Sequence, residues 1–164
     1  MKRVLKIGAI AVGALAVLAG ATLGLGLYLG ERKAQRIVPV QVADVPALAQ
    51  PATAETIERG RYLYLSRGCT ECHGVDGAGR EFINDGKGMV VRAPNITPAA
   101  GSVVAGYGPI DWVRIVRHGV KPDGRPALIM PSEDYNRLTD ADLAALVAYL
   151  RQMPPAEGGP AVVS

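Results

Sequence analysis

From Ile7 to Leu29 the chain runs 23 residues without a charge, dominated by Ala, Gly, Leu and Val. At about 1.5 Å per residue such a helix is roughly 34 Å long, enough to cross a hydrocarbon core of about 30 Å. The pattern then changes. Residues 31–54 carry Pro39, Pro46 and Pro51 without helical periodicity and predict an extended, semi-rigid tether, with a segment ordered against the domain or a partner as the alternative. Beyond it, Thr53 predicts a helix start, with Glu55 in the first turn and Ile57, Gly60, Leu63 and Tyr64 at helical spacing up to Gly68. Residues 74–110 are rich in Gly and Pro, show little periodicity and predict mostly loop. A short helix follows, with Asp111 as its cap, Trp112, Ile115 and Val116 as its apolar side and Gly119 as its stop.

The last helix has the clearest signal. Thr139 caps it, and Asp140 and Asp142 lie in the first turn, where the helix dipole favours negative charge. Leu143, Leu146, Val147 and Leu150 follow the spacing of one buried face, and Pro154-Pro155 prevent continuation. These elements divide the chain into a basic start (1–6), a membrane-spanning signal-anchor helix (7–29), a linker (30–53), a folded all-α domain (54–155) and a C-terminal tail (156–164). Cleavage after Ala19-Gly20-Ala21 is the alternative to an anchor. It would leave an apolar remnant, Thr22 to Gly30, and a cleavable apolar region is normally shorter, about 7–15 residues. Gly20 and Gly24 form a G-x-x-x-G pair that could pack against another membrane helix, although both residue types are common in such helices anyway.

Charge changes the picture only after it is partitioned. The formal net charge is +3. Lys2, Arg3 and Lys6 precede the span, and Arg32, Lys33 and Arg36 follow it, so the flanks do not decide its orientation. Residues 55–164 carry 12 Lys/Arg against 13 Asp/Glu. A domain with that balance lacks the basic patch of a nucleic-acid binder.

Cys69-Thr70-Glu71-Cys72-His73 is the stretch that carries chemistry. The C-x-x-C-H spacing reads as a c-type haem attachment site. The two thiols reach the two vinyl groups of one porphyrin as thioethers, and the adjacent imidazole ligates the iron. A zinc site needs four ligands, whereas the chain holds two Cys and two His, and His118 stands 45 residues from His73. A redox C-x-x-C is expected beside a strand–helix alternation that this chain lacks. For the sixth iron position Met130, followed by Pro131 and preceded by Leu128 and Ile129, is the leading candidate, with Met89 and His118 as the others. A thioether ligand raises the reduction potential and leaves no open site for substrate.

Taken together, Gly60, Tyr64, Gly68, Cys69-x-x-Cys72-His73-Gly74, Ala93-Pro94-Asn95-Ile96-Thr97, Met130-Pro131 and Leu138-Thr139-Asp140 make the stretch from Glu55 to Pro155 resemble the class I c-type cytochromes. The likeness is greatest to monohaem cytochromes or cytochrome subunits serving bacterial dehydrogenases. It implies one covalent haem c on Cys69 and Cys72, iron held by His73 and Met130, and a Pro94 carbonyl that accepts a hydrogen bond from the His73 ring. It implies that Gly60 lets the first helix of the domain cross the last closely, facing Tyr149, and that Asn95 and Thr97 order the Met130 loop or the haem propionates. Ala93 stands where the family often has Gly. The resemblance further implies haem attachment outside the cytoplasm: a single-pass protein of the bacterial inner membrane with its domain in the periplasm. The expected work is single-electron transfer, not enzyme catalysis, between a dehydrogenase or cytochrome bc1-type complex and a terminal oxidase. A fixed subunit of a dehydrogenase or respiratory complex is the alternative, and a haem enzyme or gas sensor with an open iron is a third possibility.

Overall fold

The uncharged run lies inside a longer helix than its own limits set. In the computed structural model, which describes residues 2–164, α1 spans Lys2–Ala34 and is solvent-exposed along its whole length, with no buried residue. It is long and apolar enough to cross a membrane. The basic flanks at both ends are helical too, since Lys and Arg are good helix formers. The cytoplasmic start expected at 1–6 is described from Lys2 onward, and Met1 lies outside the described residues.

The folded domain is built on α2 (Ala54–Ser66) crossing α6 (Asp140–Gln152). Both begin as their sequences predict. Thr53 Oγ1 accepts from the Thr56 amide at 3.1 Å, and Thr139 Oγ1 from the Asp142 amide at 3.1 Å. The crossing depends on Gly60, because a Cβ there would overlap the Ala145 carbonyl and the Tyr149 Cβ. Leu63 and Tyr64 on α2 meet Leu143, Leu146, Val147 and Leu150 on α6 in one core. Trp112, Val113 and Val116 close it from α4 (Pro109–His118).

The cap of α4 differs from the sequence reading. Gly108 is the N-cap and Pro109 the first helical residue, while the Asp111 carboxylate reaches back to accept from the Gly108 amide at 3.1 Å. Proline at the first position presets the helical φ and has no N–H to leave unpaired. Asp111 therefore acts one turn inside the helix.

One further expectation is corrected. The domain is helix-rich but not all-α. The loop-like stretch contains an antiparallel hairpin of β1 (Glu81–Asn84) and β2 (Val90–Arg92), with the Asp85 carboxylate accepting from the Lys87 and Met89 amides at 2.8 and 2.9 Å in its turn. Within the C-terminal tail, β3 (Val162–Val163) pairs antiparallel with β2 and makes a three-stranded sheet of order β1-β2-β3. The linker is also docked. Val45 and Leu48 are buried in the core, Val42 packs against it, and Pro46–Ala49 form a 3-10 turn beside α6. Burial of these three apolar side chains, spaced three apart, outweighs the freedom of an extended tether.

Candidate haem site

α3 (Cys69–His73) is one helical turn whose geometry follows from its spacing. Positions i, i+3 and i+4 share a helix face, so Cys69, Cys72 and His73 point to one side. Gly68, at φ +79°, breaks the chain out of α2 so that this turn starts in a new direction. Both cysteines are unpaired and half-buried. Burial pushes the Cys69 thiol up to about 11 and raises that of Cys72, so both stand as neutral thiols. Among the described residues no group of three His, Cys, Asp or Glu side chains converges as a metal site.

His73 is fixed from behind. Its Nδ1 lies 3.0 Å from the Pro94 carbonyl oxygen, and assigning the proton to Nδ1 leaves Nε2 with a free lone pair. Burial lowers the basicity of the imidazole, and the Pro94 bond offsets part of that effect. The neutral, ligating form is the one that results. The carbonyl is itself held by a close approach: Gly79, at φ +80°, sits where any Cβ would overlap Ala93 O and Pro94 O. The Gly79 amide donates to His73 O at 2.9 Å, and the Arg80 amide to Cys72 O at 3.2 Å. The loop after the motif thus wraps back around it.

Met130 lies on the loop entering α5 (Ser132–Tyr135), half-buried against the same core that Cys69 borders. Met89 is exposed in the hairpin turn, and His118 is exposed at the end of α4. Asn95 and Thr97 are buried but act elsewhere than on the Met130 loop. The Asn95 amide nitrogen donates to Ala156 O at 2.7 Å, Thr97 Oγ1 donates to Asn95 Oδ1 at 2.8 Å, and the Ala156 amide donates to Thr97 Oγ1 at 3.2 Å. Their polar groups secure the C-terminal segment against the strand that precedes it.

Two contributors escaped the sequence reading. Tyr135, on α5, donates its hydroxyl to Arg67 O at 3.1 Å, which ties the segment after Met130 to the approach of the C-x-x-C-H turn. Burial pushes this phenol up to about 12. Trp112 is 4% exposed, stacked edge-on with Tyr107 at 5.4 Å, yet its indole N–H has no partner. A buried donor without an acceptor costs about 1–3 kcal/mol. Two free thiols on one helical turn, a ligand imidazole held by a carbonyl and an orphaned buried donor together fit a haem, whose carboxylates would supply the missing acceptor.

The chain matches the family model described as Cytochrome c over residues 57–154. It is 37% identical over 115 residues to the fructose dehydrogenase cytochrome subunit of Gluconobacter japonicus, covering 64% of this chain and 23% of that one. It is 30% identical over 136 residues to a cbb3-type cytochrome c oxidase subunit CcoP of Helicobacter pylori, covering 80% and 39%. It is 35% identical over 103 residues to the gluconate 2-dehydrogenase cytochrome c subunit of Pantoea cypripedii, covering 57% and 22%. The chain thus spans less than half the length of these relatives.

Proposed function

The chain belongs to the cytochrome c family, and from that we propose a membrane-tethered monohaem cytochrome that passes single electrons from a dehydrogenase or quinol-oxidising complex to a terminal oxidase or another acceptor. The observation that carries the reading is the His73–Pro94 bond beside two thiols on one face of α3. A bound haem c supplies the one-electron ferric/ferrous couple. Everything else is asked of the chain. Cys69 and Cys72 would hold the porphyrin as thioethers, and His73 Nε2 would ligate the iron with its orientation and basicity set by Pro94. Met130, half-buried against the core, would supply its thioether as the second iron ligand. The Trp112 N–H would donate to a propionate. α1 would hold the protein in the bacterial inner membrane with the domain on the periplasmic side, where thioether attachment takes place.

The test of the ligand set is Met130→Ala. The native ferrous protein at neutral pH should not bind carbon monoxide, whereas the variant should bind it and show a lower reduction potential. Carbon monoxide binding by the native protein would instead support an open-iron enzyme or sensor.

A second reading is a fixed subunit of a larger complex. It is favoured by relatives named as cytochrome subunits of dehydrogenases and of an oxidase. Gly20 and Gly24, with no side chain of this chain near them, would offer a close-packing face for a partner helix. Purification in mild detergent separates the two: a stoichiometric partner surviving size exclusion supports the subunit, and a lone cytochrome the carrier.

A further inference from the structure

We propose that the domain rests on the lipid bilayer through the face beside the end of α1, with Ile37 and Leu128 seated at the membrane interface and Lys33 and Arg36 on anionic headgroups. The proposal depends on α1 spanning a membrane, and its geometry follows from how the chain leaves that helix. The uncharged run ends at Leu29. Residues just past it, Gly30, Lys33, Ala34 and Arg36, line one shallow cleft with Pro126, Ala127 and Leu128 of the domain. With the apolar run in hydrocarbon, that cleft lies at the level of the headgroups.

The domain cannot swing away from this level without breaking a bond. The Val38 amide donates to Gly124 O at 2.9 Å, and the Ile37 side chain lies against Gly124. Val38 stands four positions after Ala34, a reach of about 14 Å at full extension. The 124–128 loop is therefore held near the helix end. Its outward side is apolar where it meets that end, with Ile37 and Leu128 at 65% and 55% exposure. Lipid is the occupant that fits, because this apolar surface lies beside the basic end of α1, whose apolar run has no residue buried against protein and would itself be covered by lipid. Around it stand Lys33, Arg36 and Lys121, with Arg125 engaged by Asp123 at 2.7 Å and Glu31 as the other acid. The balance is basic, as contact with anionic headgroups requires. Long basic side chains there keep their ends in the headgroup layer while their stems cover apolar surface.

The test needs no substitution. The full-length holoprotein is reconstituted into vesicles of phosphatidylethanolamine and phosphatidylglycerol that carry a diazirine high on an acyl chain. After irradiation, tandem mass spectrometry locates the adducts. The expected result is label on α1 and also at Ile37 and Leu128, with none on the outer face of α2 around Tyr62. Label on α1 alone would overturn the proposal while leaving the membrane anchor intact. Absence of label from α1 would remove the anchor itself and the proposal with it.

Discussion

At the scale of single residues, much of the site is backbone held by side chains and side chains held by backbone. His73 takes its orientation from a carbonyl, and Tyr135 anchors its loop on another. The Tyr135 phenol gives this arrangement a pH signature. Its folded-state pKa is raised to about 12, above the ordinary value near 10, because burial disfavours the phenolate. Its contribution to stability is therefore complete below pH 10 and is lost as the pH rises toward 12. Tyr135→Phe should lower the denaturant midpoint at neutral pH, and the gap from the native protein should close as the pH is raised through that window. A gap that stays constant across the window would show that the hydroxyl is not held as described. The cysteines and histidine were legible in the sequence because their spacing is itself the chemistry. Tyr135 and Trp112 were not, since an aromatic side chain in a pattern reads as apolar and its hydroxyl or N–H finds its meaning only in three dimensions.

At the scale of elements, the helices were legible and the sheet was not. Thr53 and Thr139 announce α2 and α6 because a cap is a local event. The strands run only four, three and two residues, and β2 pairs with β3 some 70 residues later, beyond the reach of periodicity. Asp85-Gly86 between two runs containing β-branched and aromatic residues was the available signal for the hairpin. For the linker the sequence left an ordered segment open only as the alternative, since Val42, Val45 and Leu48 make too short a pattern to outweigh three prolines.

Two substitutions measure these packings. Gly60→Val should force α2 and α6 apart at the Ala145 carbonyl and lower unfolding stability by at least about 1–3 kcal/mol, the ordinary cost of overpacking, read from the denaturant midpoint. An unchanged midpoint would mean the helices do not cross there. Leu48→Ala should cost about 2–5 kcal/mol, as for other buried leucines. A linker free in solution would show no loss at all, so this variant separates a docked segment from a tether.

At the scale of the whole molecule, the chain joins a helix fit for a membrane to a cytochrome c domain by a short, engaged connection. A free leash would let the domain search a wide zone and meet mobile partners. With α1 in a membrane, as proposed, a docked connection would hold one face toward the bilayer and favour partners whose own redox centres lie near that surface. The long apolar helix was plain from composition alone, whereas the docking was not, because it depends on Val38 meeting Gly124 across 86 positions of sequence.

The claim on which all of this rests is that Cys69 and Cys72 carry a haem by covalent bonds. The intact mass of the denatured protein, expressed in a bacterium able to mature c-type cytochromes, tests it directly. The native chain should weigh one haem more than its bare polypeptide, and a variant with both cysteines replaced by alanine should lose that increment. A native chain at the mass of the bare polypeptide, with any haem released on denaturation, would contradict the account.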